Sequence, residues 1–421
     1  MPRFYSVIIM LFFLLFISGC GMLPFSADSG ESDEGIFVSP SGNDEQNGTI
    51  DAPFQSVQKA ADTAEAGDTI YLREGTYHEN VKVSQQGEEQ LPIIIRPFEN
   101  ENVDLKAAGE KPFFSLKDTE YITIKKFTFH QENTASMIAS SGETRALQIL
   151  DNRFLSSQKA EEEPGSAVHI ASSDADSIHE DTIISGNTVE RWKHSPAFSL
   201  LGNITSFTVS HNRFEKASGT SLDLQAVPGE VNGRVPSEGN VKNNIINSSS
   251  GSPGPGIAIE GAHTIAFSHN TIRGGSVGTF IRNTSFAETE DLSFKNNVWQ
   301  EQTSAGTALV QGPAERPISR ISFSKNVWEN AQGSRDSAQL RIQSSIRHLS
   351  VINNEFKGNT FNGFYIDATE DISTYVTLKD NSFPSSSKAE WKWEGRKFRD
   401  LVTFQQYIEQ DAPASSFGET E

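Results

Sequence analysis

Nine asparagines recur down the chain in one local frame: Asn152, Asn187, Asn212, Asn244, Asn270, Asn297, Asn326, Asn354 and Asn381. Each has an apolar residue three positions before it and another two positions after, as in Val209…Asn212…Phe214 and Phe294…Asn297…Trp299. The intervals run 35, 25, 32, 26, 27, 29, 28 and 27 residues. A repeat of this size with drifting length describes stacked units whose loops vary on one side. Asparagine suits a tight corner between short strands because it tolerates left-handed backbone. Its amides can also hydrogen-bond from one corner to the next. The expectation is an all-β fold, a right-handed parallel β-helix with one coil per repeat. A leucine-rich repeat also carries an asparagine ladder, but it needs a Leu-rich consensus. These units are rich in Val, Ile, Phe, Ser and Thr, with no helical periodicity between corners.

Short alternating runs precede the corners: Ala167–Ile170, Ser221–Leu224, Gly256–Ile259, Gln339–Ile342 and Gly363–Ile366. Their alternation predicts strands. With Leu222/Leu224, Ile257/Ile259, Leu340/Ile342 and Phe364/Ile366 turned inward, the outward set is His169, Asp223, Gln225, Glu260, Arg282, Arg341, Gln343, Tyr365 and Asp367. Trp299 and Trp328 follow corners at one repeat position and are read as stacked inside.

The ends are of another kind. Residues 1–20 read as a targeting segment: Arg3, an apolar run from Phe4 to Phe16, then Ile17-Ser18-Gly19-Cys20, a bacterial lipobox whose cysteine is lipidated. A plain secretory signal or a spanning anchor is the alternative, although the run is short for a span. Cys20 is the only cysteine, so no intramolecular disulfide can form. Residues 21–36 read as an acidic tether, 37–384 as the β-helix with an N-terminal cap, and 385–421 as a C-terminal cap and tail. In the cap, Val57, Ala60, Ala61 and Ala64 fall at helical spacing after Pro53. In the tail, Trp391, Trp393 and Phe398 precede Leu401, Phe404 and Tyr407, also at helical spacing. The expected place is the bacterial envelope, on the outer face of a membrane, as a monomer held by a lipid.

Thirty-five Lys and Arg face 55 Asp and Glu, a net charge of −20. That opposes nonspecific nucleic-acid binding. It also means that an acidic polysaccharide needs local cationic groups or a bound cation.

The stretch FVSPSGNDEQNGTIDAPFQSVQKAADTAEAGDTIYLREGTYHENVKV, with Pro92–Pro97 and Tyr121–Phe129, resembles the start of right-handed β-helix proteins of the pectate lyase superfamily. It is most similar to the chondroitin and alginate lyase group. The resemblance covers most of residues 37–383 and implies a protein acting on uronate-containing polysaccharide by cation-assisted β-elimination. In that group a strand Lys and, one coil later, a strand Arg fill key roles. The block Gly256–Glu260…Phe280-Ile281-Arg282 is similar, with Arg282 at the arginine and Glu260 where the lysine would stand. The reading assigns Arg282 as catalytic, Asp223 and Glu260 as calcium ligands, and Arg341, Gln225 and Asp367 as substrate contacts. The Gly-His-Gly and Arg-x-Lys motifs of polygalacturonases and the Asp-Pro-His of mannuronan epimerases are missing. Asp223-Leu224-Gln225 echoes only faintly the Asp, Gln and Arg set of pectin esterases. A non-catalytic carbohydrate-binding or envelope-structural protein is the alternative function. In the plainest reading, the outward charges are a solvated surface.

Overall fold

The computed structural model describes residues 34–157, 165–172, 177–193, 195–228, 234–249, 252–313, 316–329, 336–358, 363–368, 376–384, 389–411 and 416–418. Cys20 and the lipobox lie outside them. Residues Glu34–Glu421 make one compact unit. It is an all-β parallel solenoid of about ten turns, a right-handed β-helix with little helix.

Each coil presents three faces. The first carries strands such as Leu222–Gln225, Ile257–Glu260, Val277–Arg282, Ala305–Val310, Ala338–Gln343 and Phe364–Ala368. The second carries strands such as His263–Ser268 and Glu290–Lys295, and the third is an 11-stranded stack from Gly75–Glu79 to Glu355–Lys357. Pairing from coil to coil is parallel, which places equivalent residues about 4.8 Å apart along the axis. The five strands expected from alternation all form, to within a residue or two.

Ladder asparagines stand at the corner between the second and third faces, almost wholly buried. Asn297 shows the bonding. Its backbone N–H and Nδ2 both donate to Oδ1 of Asn326, and Nδ2 donates to the Phe267 carbonyl. Its own Oδ1 accepts from the backbone N–H and Nδ2 of Asn270. The chain of side-chain bonds runs unbroken from Asn152 to Asn381.

The left-handed residue, however, is not the asparagine but the one before it. Asp151, Gly186, His211, Asn243, His269, Asn296, Lys325, Asn353 and Asp380 have φ from 53° to 72°. Turning the chain one residue early leaves the asparagine side chain pointing inward, where a buried amide is required to satisfy the corner.

Inside, aromatic rings stack along the axis. Trp299 lies 4.8 Å from Trp328, and Trp328 lies 4.8 Å from Phe356. The indole N–H groups of the tryptophans donate to Thr279 and Thr307. Helix Val57–Thr63 closes the N-terminal end with Val57, Ala60 and Ala61 buried. It starts at Ser56, whose hydroxyl accepts from the Lys59 N–H, while Glu79 accepts from the Val57 and Gln58 N–H groups. At the other end, Glu390–Trp393 adds a further rung to the first face and pairs antiparallel with Arg396–Phe398. Trp391, Trp393 and Phe398 pack against Phe404 of helix Leu401–Asp411.

Candidate active site

Strand register sorts the first face's outward residues into two neighbouring columns. In one, Gln225, Glu260 and Arg282 occupy successive rungs. In the other, two residues earlier on each strand, run His169, Ser199, Asp223, Ala258, Phe280, Ala308, Arg341, Asp367 and Lys392. Asp223, Glu260 and Arg282 are therefore close, but they are not one column: Asp223 is in line with Ala258.

Glu260 and Arg282 form a direct pair. Arg282 Nε donates to Glu260 Oε2 at 2.7 Å, and Nη2 stands 2.5 Å from the same oxygen. The Glu260 side chain is 15% exposed and that of Arg282 39%, so the guanidinium is the accessible partner. Arg282 also lies over the Phe280 ring, 5.5 Å from its centroid. Parallel strands put the two charges one rung apart, which is what the sequence spacing required.

Asp223 is only 9% exposed. Burial, and then the Glu260 carboxylate, push its carboxyl up to about 7, against the opposing pull of Arg282. A carboxyl that exchanges its proton near neutrality beside a half-exposed guanidinium can serve as a base or an acid. Its depth was not visible in the sequence, where alternation marks Asp223 merely as outward.

Calcium takes roughly six to eight oxygens. Among the described residues no group of three or more His, Cys, Asp or Glu could hold a metal ion. Glu260 is committed to Arg282 and Asp223 titrates near neutrality. These two carboxylates alone do not fit the cation.

The other expected contacts fall elsewhere. Gln225 is flush with Glu260. Arg341 and Asp367 stand two and three rungs beyond the Arg282 strand and line a second cleft with Lys392 and Lys397. Tyr365 does not face outward as alternation predicted. It is fully buried against Phe356, Phe383 and Trp391, because Tyr365 and Ile366 turn inward together, as Gln339 and Leu340 do on the preceding strand. Phe364 instead lines the cleft. His169 lies two rungs from Asp223, with burial holding its imidazole below the usual range. The interior tryptophans 299 and 328 offer no platform to a sugar, and Trp391 and Trp393 are buried in the cap.

The coil has known counterparts. Residues 36–191 match a family model described as "Pel9A-like, right handed beta helix region". The chain's first coils are thus similar to the Pel9A-like right-handed β-helix. An uncharacterised protein of Bacillus subtilis, YwoF, is 28% identical over 92% of this chain and 93% of its own length. Pectate lyase PEL9 of Emericella nidulans is 50% identical over 103 residues, which span 20% of this chain and 25% of the lyase. Among solved structures, pectate lyase Pel9A superposes with a TM-score of 0.51 at 10% identity, over 85% of this chain and 82% of its own. The catalytic domain of a GH87 α-1,3-glucanase superposes with 0.59 at 12% identity, over 93% of this chain and 69% of its own. At such identities the structures share the coil and nothing finer. The Pel9A-like match ends before Asp223, Glu260 and Arg282.

Proposed function

We propose that this protein cleaves a uronate-containing polysaccharide by β-elimination on the first face of its helix. The observation that carries the reading is a buried, near-neutral Asp223 beside the half-exposed Arg282 of the Glu260–Arg282 pair. Arg282 receives the C6 carboxylate and disperses the charge that builds there as the C5 proton leaves. Asp223 takes that proton. The C5–H electron pair becomes the C4=C5 double bond, the C4–O4 bond breaks, and the leaving oxygen takes a proton from solvent. Glu260 holds the guanidinium in place and, by its charge, keeps Asp223 basic enough to act. We further propose that a lipid on Cys20 holds the protein at the cell envelope.

The test is ultraviolet absorbance of the unsaturated product from polygalacturonate and other uronate polymers, with calcium and with chelator. Arg282→Ala is expected to lower kcat/KM at least about tenfold, a barrier change of about 1.4 kcal/mol. A base must be ionised, so the rate should rise with pH through about 7. Glu260→Gln removes a charge that raises the Asp223 carboxyl and should move this limb to lower pH. Arg282→Ala removes one that lowers it and should move the limb higher. A wild type without unsaturated product sinks the lyase reading and favours a binding protein. An elimination that needs calcium and ignores Arg282→Ala gives the guanidinium's role to a metal.

A further inference from the structure

Beyond Arg282 the same face ends in a second polar cleft. It has a volume of about 410 Å³, within the usual scale of small-ligand sites, and its lining includes Ser304, Arg341, Phe364, Asp367, Lys392 and Lys397. Three cationic side chains meet there in a chain whose net charge is −20. Asp336 and Asp367 are the carboxylates in the lining.

The arrangement does not look like a self-satisfied ion-pair cluster. The Asp367 side chain is only 7% exposed and lies between two cations. Arg341 Nε is 3.5 Å from Oδ2 and Lys392 Nζ is 3.2 Å from Oδ1. Neither contact has hydrogen-bond geometry: Asp367 Oδ1 and Arg341 Nε are buried without a hydrogen-bond partner among the described residues. One carboxylate therefore sits at ion-pair distance from two cations, and the three cationic side chains of the lining still outnumber its two carboxylates. Arg341 is fixed further by Ser304 Oγ, to which Nη1 donates at 3.0 Å, and by the Asp336 carbonyl.

The C-terminal hairpin adds the third charge. Lys392 and Lys397 stand directly opposite each other on its two strands. Like charges in that position repel. Both ammonium groups nonetheless lie over the Phe364 ring, at 5.8 and 5.1 Å from its centroid, facing the cleft. An anion in the cleft would relieve the repulsion and supply acceptors to Lys392, Lys397 and Arg341 together.

Position names the anion. The Arg341 strand is two rungs beyond the Arg282 strand, about 10 Å along the axis. Between Phe280 and Arg341 the outward column holds only Ala308, a small and buried side chain that adds no charge between the two cationic positions. We infer that Arg341, Lys392 and Lys397, oriented by Asp367, form a distal subsite for a carboxylate of the same polyuronate chain that Arg282 engages. The subsite rests on the proposed polysaccharide function for its ligand, but it reads binding, not elimination.

The experiment is a salt-dependent binding titration of the purified protein with polygalacturonate, with its fully methyl-esterified form, and with sodium sulfate. The wild type should bind polygalacturonate at least about tenfold more tightly than the ester, since only the acid supplies anions. Lys397→Gln, at an exposed position, and Lys392→Gln should each weaken binding about fivefold and flatten its salt dependence. The Lys397→Gln melting temperature should stay put, which separates lost contact from lost fold. On cleavage, Lys397→Gln should raise KM with kcat unchanged. Unaltered affinity and salt slope in Lys397→Gln overturn the subsite, as does equal affinity for acid and ester. Sulfate binding abolished by Lys397→Gln, with polymer binding untouched, reduces the cleft to an isolated anion site and also overturns it. The two readings fail separately. An inactive wild type whose polygalacturonate binding needs Lys397 keeps the subsite and loses the lyase. Elimination that needs Arg282, with binding indifferent to Lys397, does the reverse.

Discussion

Every polar atom of a ladder amide has a partner, and each partner is another buried polar group. Replacing Asn297 by alanine removes an acceptor from Asn270, donors to Asn326 and Phe267, and leaves those groups away from water. Orphaned buried groups cost about 1–3 kcal/mol, so Asn297→Ala should lower the denaturation free energy by that order. Asn47→Ala is the control. Asn47 is exposed, and its carbonyl oxygen accepts only from the Thr49 hydroxyl among the described bonds, so its loss should be much smaller in the same chemical melt. Equal, negligible losses would mean that the ladder does not hold the coils. The ladder itself was legible because a repeat preserves spacing. The left-handed site one residue earlier carries a weaker mark: it is shared among Asn, Asp, His and Gly, types that turn left-handed readily, with Lys325 the exception, so no single residue type repeats there. A period cannot tell the residue that turns from the residue that bonds. Asp223 posed the same difficulty. Alternation set its direction, but depth depends on how neighbouring rungs shield it.

Strands show where alternation serves and where it breaks. In Leu222–Gln225 and Ile257–Glu260 the two apolar residues turn inward, and Gln225 and Glu260 fall in register with Arg282 as read from sequence, although Asp223 and Ala258 are buried as well. Phe364–Ala368 is buried along its whole length, which erases the signal that would have placed Tyr365. The stacked tryptophans explain part of this geometry. Trp299 and Trp328 lie against the strands of the first face at Gly278 and Gly306, where a Cβ would come within 2.5 Å of the indole Cδ1. Gly278→Ala would also meet the Gly306 carbonyl at 2.5 Å. Backbone and a buried indole have nowhere to yield, and overpacking of this kind costs about 1–3 kcal/mol. The variant should melt lower than wild type, and Trp299 fluorescence should report a displaced ring. An unchanged melting temperature would show that the strand relaxes freely, contrary to the packing. With an exposed aromatic patch for sugar as the alternative, the sequence marks the C-terminal tail as a cover for the last rung. Its buried Trp391, Trp393 and Phe398 suit that work, yet Lys392 and Lys397 on the same strands line the cleft.

At the scale of the molecule, a solenoid is a translation repeated, so one period in the sequence dictates the whole architecture. Function has no such period. A similar coil occurs in pectate lyase Pel9A and in an α-1,3-glucanase, so the coil by itself names no activity. Charge also acts globally: at −20 the chain repels acidic polymer from afar, while screening over about 8 Å at physiological salt lets the local cations of the first face act at contact. Holding such a protein where the proposed polymer is abundant would offset the weak long-range encounter, and the proposed lipid on Cys20 would supply the means. Stable attachment of this kind takes more than one acyl chain, since a single chain binds membranes only marginally. The wild type should therefore sediment with membranes and carry the mass of a multiply acylated N-terminus at Cys20. Cys20→Ser leaves the β-helix unaltered and removes the acceptor, so the variant should be released or remain unprocessed, with its activity on soluble polymer unchanged after purification. Fractionation followed by mass spectrometry of the N-terminal peptide decides it. A wild type free in the medium, its N-terminus bare of lipid, would leave the segment as a plain secretory signal.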